Sequence, residues 1–259
     1  MNIFVLVKQV PDTETKIRLT GDASNIEKGD IKWVINPYDE FAIEEGLKTK
    51  ERLKEGTVTV VTCGPDRSVE ALRNAVAMGA DNAIHVKTDG ELTDTYLVGR
   101  ALSEVLKKEN AAIVFSGKQA VDDDQSAVFN YVAEFLSWPS ASVIVKADIA
   151  ADKKSVKVER EAEGGMKQII QMSIPCLIAV NKGINTPRYA SLPGIMKAKK
   201  KEIKLYSLSD LGVAGETPTV KESVYQLPPE RSAGKKIPGD AATQAKELVR
   251  MLREEAKVV

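Results

Sequence analysis

The sequence predicts an α/β protein: a doubly wound, mostly parallel sheet with an added hairpin and an extended C-terminal arm. Three observations predict it. Between residues 2 and 147, short apolar runs alternate with segments of helical periodicity, the rhythm of strand–helix–strand crossovers. After residue 150, two further runs flank Glu163-Gly164-Gly165, a hairpin signal. Beyond residue 205, prolines at 218, 228, 229 and 238 break any regular pattern.

Each element follows in order. Residues 2–10, IFVLV and then Val10, read as one buried strand stopped by Pro11. The next helix spans Pro37 to Lys50. Asn36 suits its cap, Pro37 its first position, and Asp39 with Glu40 its positive end. Residues 57–62 form a second strand. The turn Gly64-Pro65-Asp66 feeds a helix with Val69, Leu72, Ala75 and Val76 inward, which ends at Gly79-Ala80-Asp81. Strand 83–86 precedes a helix from Thr93 to Lys108, where Leu97, Ala101, Val105 and Leu106 keep helical spacing. Strand 111–116, helix 125–136 and strand 141–147 complete the alternation, the helix closing before Trp138-Pro139. The hairpin runs 154–161 and 166–173, and CLIAV at 176–180 is a central strand. Residues 240–255 make a last amphipathic helix with Ala245, Leu248 and Leu252 on one side. The chain thus divides into a core of residues 1–205 and an arm of residues 206–259 that wraps over a surface. If that surface is another protein's, a partner subunit is implied.

Composition narrows the function. Lys plus Arg equals Asp plus Glu at 37 each, which argues against a nucleic-acid coat. No apolar run approaches the roughly 20 residues of a membrane helix, and Met1 to Val7 enters a strand pattern without the basic start or cleavage site of a signal peptide. Cys63 and Cys176 make neither a disulfide framework nor a metal cluster, and both are expected to pack. His85 is the only histidine and sits in a strand pattern, so a structural role is expected. The GxxxxGK loop, the GxGxxG turn and the nucleophile elbow are all missing. Side-chain catalysis has little support. Trp33 and Trp138 suit core or interface anchors.

Two features carry chemistry. In Asn185-Thr186-Pro187-Arg188-Tyr189-Ala190-Ser191-Leu192-Pro193-Gly194-Ile195-Met196, then Lys197 and Lys199 to Lys201, prolines stop helix on one side of Leu192 and interrupt it on the other. A loop holding a large apolar side chain beside positive charge can dock an acidic partner. A core-packed Leu192 with solvated lysines fits the same residues. The second feature is a set of loops at strand ends, where ligands of open parallel sheets lie. They are Asn36-Pro37-Tyr38-Asp39, Cys63-Gly64-Pro65-Asp66, and Gly117-Lys118-Gln119-Ala120-Val121-Asp122-Asp123-Asp124-Gln125-Ser126. Free amides at the helix starts can hold a phosphate, Asn36 can read an adenine edge, and Asp124 or Ser126 can cap the following helix. Three aspartates repel a phosphate, so the backbone must do the binding. Ordinary capping explains the same loops. A metal on Asp122 to Asp124 is not expected, because few of them can converge.

Val158-Glu159-Arg160-Glu161, Gly164-Gly165, Asn185 through Lys201, and the NPYD, CGPD and GKQAVDDD loops occur in an order that resembles the beta subunits of electron transfer flavoproteins, over essentially the whole chain. The resemblance implies an adenine-nucleotide-binding fold and a heterodimer with an alpha subunit that carries most of the FAD. It implies AMP in this subunit, held by Leu6, Asn36 to Asp39, Cys63, and Gly117 through Ser126 with Ala127 and Val128. Leu192 resembles the anchor of a recognition loop for acyl-CoA or related flavin dehydrogenases, together with Tyr189, Pro193, Ile195 and Met196. Glu161 resembles the residue that touches the flavin domain. Thr13 stands where some relatives place a tyrosine near the flavin. Relatives with a second flavin tend to carry DGDT where this chain has Asp122-Asp123-Asp124-Gln125, so the AMP-binding kind is expected. The resemblance also implies a downstream quinone oxidoreductase, a carrier role without side-chain catalysis, and a cytoplasmic location if bacterial or the mitochondrial matrix if eukaryotic. A stand-alone adenine-nucleotide-binding stress or signalling module is the alternative reading.

Overall fold

A computed structural model describes residues 1–230 and 233–259. In chain order the elements are β1 (Asn2–Leu6), β2 (Gln9–Pro11), β3 (Trp33–Ile35), α1 (Pro37–Leu53), β4 (Thr57–Gly64), α2 (Val69–Met78), β5 (Asn82–Lys87) and α3 (Thr95–Lys108). There follow β6 (Ile113–Gly117), α4 (Val128–Leu136), β7 (Ser140–Ile149), β8 (Ser155–Glu161), β9 (Lys167–Ser173), β10 (Cys176–Val180), α5 (Leu192–Lys200), β11 (Lys204–Ser207) and α6 (Ala241–Glu254).

Nine strands form one sheet in the order β11-β5-β4-β1-β6-β10-β7-β8-β9. From β11 to β7 all neighbours are parallel, and β8 and β9 extend the sheet antiparallel as the hairpin. The chain winds outward from β1 to β4 and β5, then returns to β6 on the other side of β1. A crevice must open at that reversal, beyond the carboxyl ends of β1 and β6.

Alternation along β1 builds the two halves of the core. Ile3, Val5 and Val7 join Ile43, Leu47 and Leu72 beneath α1 and α2. Phe4 and Leu6 join Leu102, Leu106 and Val132 beneath α3 and α4. Leu211 and Val213, beyond β11, are buried in this second half, with Tyr206 and Leu208 packed against it.

The structure departs from the sequence reading at four places. The run 2–10 is two strands. After Leu6 the Lys8 amide turns to the Asp39 carboxylate at 2.7 Å, and Gln9–Pro11 pairs with Trp33–Ile35, an unforeseen strand, in a separate two-stranded sheet. The helix expected from residue 125 starts at Val128, because Asp124 and Ser126 both adopt φ 51°, outside helical geometry. Neither residue caps it. Leu192 is not in a proline-interrupted loop but begins α5. Pro193 falls in the first turn, where a missing N–H costs nothing, and Ser191 Oγ caps the Gly194 amide at 3.1 Å. Residues 204–207 add an edge strand beside β5 where irregular chain was expected.

The arm is tied to the core as far as Tyr225, whose amide donates to the Ala23 carbonyl at 2.9 Å. Asp94 caps α3 through Oδ1, and its Oδ2 accepts from the Thr219 hydroxyl at 2.9 Å and the Val220 amide at 3.0 Å. α6 has no buried residue, and Leu248 and Val249 face outward. No helix among the described residues is long and apolar enough to cross a membrane.

Candidate nucleotide cavity and docking segment

A cavity of about 560 Å³ occupies the reversal point of the sheet. Its floor comes from strand ends: Leu6 closing β1 and Lys8 just beyond it, Cys63 in β4, Ser116 and Gly117 in β6. Its wall is the loop from Lys118 to Ala127, with Val128 and Phe129 from α4. Of the expected binding residues, Pro37, Tyr38 and Asp124 do not line it. Tyr38 instead packs under Lys118, whose Nζ lies 5.3 Å from the ring centre, and Asp124 accepts from Gln119 Nε2 at 2.6 Å.

Asn36 neither caps α1 nor stands free to read a base. Its Nδ2 donates to the Gln119 carbonyl at 2.9 Å, and its Oδ1 accepts from the Val121 amide at 3.2 Å. It therefore holds the wall in shape. Asp39 joins the floor, accepting from the amides of Lys8 and Gly117 at 2.7 and 3.0 Å. Burial raises its pKa to about 7, against the pull of those bonds.

The repulsion expected from the aspartates is reduced by a residue the sequence reading missed. Lys8 Nζ bridges Asp122 and Asp123 at 2.9 and 2.8 Å. Burial works against the ammonium, yet the two carboxylates hold its pKa above the usual lysine value. Lys8 was findable, since it leaves the carboxyl end of a central strand. Other missed lining residues come from distant segments, Trp33, Arg67, Glu91 and Tyr225 among them. The Arg67 guanidinium lies 3.3 Å from the Trp33 ring centre and donates to Glu91 at 2.6 Å.

Two polar features of the cavity stand ready for a ligand. Ser116 Oγ is buried without a hydrogen-bond partner, and such a hydroxyl calls for one. α4 starts with no side-chain cap; the Asn130 amide turns back to the Ala127 carbonyl at 3.0 Å, and the amides of Val128 and Phe129 stay available for an anion. Leu6, Val98, Leu102 and Phe129 supply apolar contact. An adenine nucleotide fits this donor set. His85 lies outside, buried with Nε2 2.8 Å from the Gly64 carbonyl. No group of three His, Cys, Asp or Glu side chains gathers for a metal among the described residues.

The family described as "Electron transfer flavoprotein domain" matches residues 25–211. The chain belongs to the electron transfer flavoprotein family. It is 40% identical to the electron transfer flavoprotein subunit beta of Bacillus subtilis over 263 aligned positions, covering all of both chains. Against the Dictyostelium discoideum protein of that name it is 40% identical, over 92% of this chain and 93% of the other. Against the human one it is 36% identical, over 100% and 99%. An electron-transfer role alongside a flavin follows from this membership.

On this electron transfer flavoprotein chain the segment around Leu192 is a surface feature. Tyr189 is 96% exposed, Leu192 75%, Met196 55% and Ile195 40%, which rules out the core-packed reading of Leu192. α5 rests on α2: a Cβ at Gly194 would lie 2.3 Å from the Ala77 carbonyl oxygen. Arg73 Nη1 donates to the carbonyls of Ala198 and Lys199 at 2.6 and 3.3 Å, securing the helix end. Glu161 ends β8 and accepts from Asn181 Nδ2 at 2.9 Å, which places it at the same carboxyl edge of the sheet as the cavity.

Proposed function

We propose that the chain is the beta subunit of a heterodimeric electron transfer flavoprotein, holding AMP in its cavity and docking flavin dehydrogenases through Leu192. The observation that carries the reading is the exposed apolar helix start at Leu192, fixed on an α/β core that also holds a nucleotide-sized cavity at the carboxyl ends of its strands. FAD, when bound to the alpha subunit, supplies the redox chemistry. This chain's residues do other work. The first amides of α4, with Ser116 and the loop held by Asn36 and Lys8, bind the nucleotide. Leu192, with Tyr189, Pro193, Ile195 and Met196, enters an apolar pocket on an acyl-CoA or related dehydrogenase. Glu161 and the hairpin face the flavin-bearing domain, and residues 206–259 embrace the alpha subunit. Electrons then leave toward a quinone oxidoreductase. A buried Leu contributes roughly 2–3 kcal/mol before ordering costs, a scale suited to a transient complex.

Native mass measurement of the purified complex tests this. The expected mass is this chain, a larger subunit, one FAD and one AMP. Two FAD molecules would instead place the chain among the relatives with a second flavin, and a lone chain without nucleotide would overturn the proposal. Leu192→Ala is expected to slow electron transfer from the dehydrogenase while flavin content stays intact.

A further inference from the structure

The docking segment is clamped to α1 by buried charge. Glu44 has a side chain only 3% exposed, and nothing in the nucleotide cavity uses it. Both of its oxygens face Arg188. Arg188 Nε donates to Oε2 at 2.8 Å, Nη2 to Oε1 at 3.0 Å, and the Arg188 amide to Oε2 at 3.2 Å. On the outer side, Arg188 Nη1 and Nη2 donate to Glu51 at 2.8 and 3.2 Å. Three residues earlier, Asn185 Nδ2 donates to Glu45 Oε2 at 3.1 Å and to the Phe41 carbonyl at 3.0 Å. Four residues after Arg188, Leu192 emerges.

A two-pronged pair of this kind fixes direction as well as distance. It also carries a desolvation cost that a solvated loop would avoid. A surface segment that must present one apolar side chain gains from being ordered before it binds, because ordering it on contact would be subtracted from the affinity.

We propose that Glu44, acting through Arg188, is a positioning residue for the docking reaction: it pre-orders the segment so that Leu192 meets the partner in one orientation. The inference rests on the docking role of Leu192 set out above. Glu44 and Arg188 touch neither flavin nor nucleotide in this scheme, so their effect falls on the encounter with the dehydrogenase.

The test is a double-mutant cycle on the purified two-subunit complex, assayed as electron acceptor of the dehydrogenase. Removing Arg188 alone would strand the buried Glu44 charge, so the clamp is removed as Glu44→Gln with Arg188→Met. Arg188→Lys serves as the conservative variant. The expected result is a KM raised about tenfold, the scale of ordering one or two side chains, with kcat and bound nucleotides unchanged. Arg188→Lys should fall between. In a Leu192→Ala background the clamp substitutions should add little, because they act through Leu192. If Leu192→Ala raises KM and the clamp variant does not, the positioning role is overturned while docking stands. If neither changes KM, the docking role itself fails. Loss of nucleotide from the clamp variant, or full additivity with Leu192→Ala, would also overturn the inference.

Discussion

The amide of Gly117 donates to Asp39 Oδ1 at 3.0 Å, and the amide of Lys8 donates to Oδ2 of the same carboxylate at 2.7 Å. One side chain from the first turn of α1 therefore ties together the carboxyl ends of β1 and β6. Those ends are the two edges of the crevice. The cavity is held open by this strut, and α1 carries on to Glu44 and Glu51, which hold the segment leading to Leu192.

Gly117 has no room for a side chain. A Cβ there would lie 2.5 Å from Asp39 Oδ1 and 2.6 Å from Tyr38 Cβ. Gly117→Ala should destabilise the chain by about 1–3 kcal/mol and lower nucleotide retention. Thermal unfolding and nucleotide quantification after gel filtration check this. An unchanged nucleotide content would show that the strut does not shape the site.

Asp39 titrates at about 7 because burial disfavours its charge. The folded state therefore binds its proton more tightly than the unfolded chain, whose value is 3.8. Its contribution to stability is full below pH 3.8 and is lost as pH rises toward about 7. The stability of the parent relative to Asp39→Asn should fall across that window, by at most about 1.4 kcal/mol per pH unit. Urea unfolding of both proteins between pH 4.5 and 8 measures it. A difference that is flat with pH would contradict the assignment.

Gly194 seats α5 on the end of α2, with no space before the Ala77 carbonyl. Gly194→Ala should lift the helix and cost about 1–3 kcal/mol, together with a rise in KM for the dehydrogenase. Gly215→Ala is the control, since nothing lies within 4 Å of a Cβ there. Equal melting temperatures for the two variants would count against the close seat.

Burial pushes the thiols of Cys63 and Cys176 up to about 12. At pH 8 roughly one part in ten thousand would be thiolate. Neither should react with Ellman's reagent at the rate of a free cysteine until the protein is unfolded. Rapid labelling of Cys63 in the native complex would show that the cavity floor opens.

Much of this was legible along the chain. The strands at 57–62 and 176–180, the helix from Pro37 and the hairpin around Gly164 were readable because burial periodicity and turn chemistry are local properties of a few successive residues. The loops that supply most of the cavity wall were readable for a related reason: in a parallel sheet they must emerge at the carboxyl ends. The sequence by itself thus determined the alternating fold and which loops could meet a ligand. It did not reveal the strand at 33–35, whose partner lies more than twenty residues upstream. Nor did it show that Lys8 would bridge Asp122 and Asp123, or that Asn36 would brace the wall. Leu192 is the sharpest case. Its neighbours allowed both burial and display, and its exposure was decided by Gly194 against Ala77 and by Arg188 on Glu44, a pair 144 residues apart. Only the tertiary structure could settle such matters, because packing brings distant residues together without any trace in the local pattern of either segment.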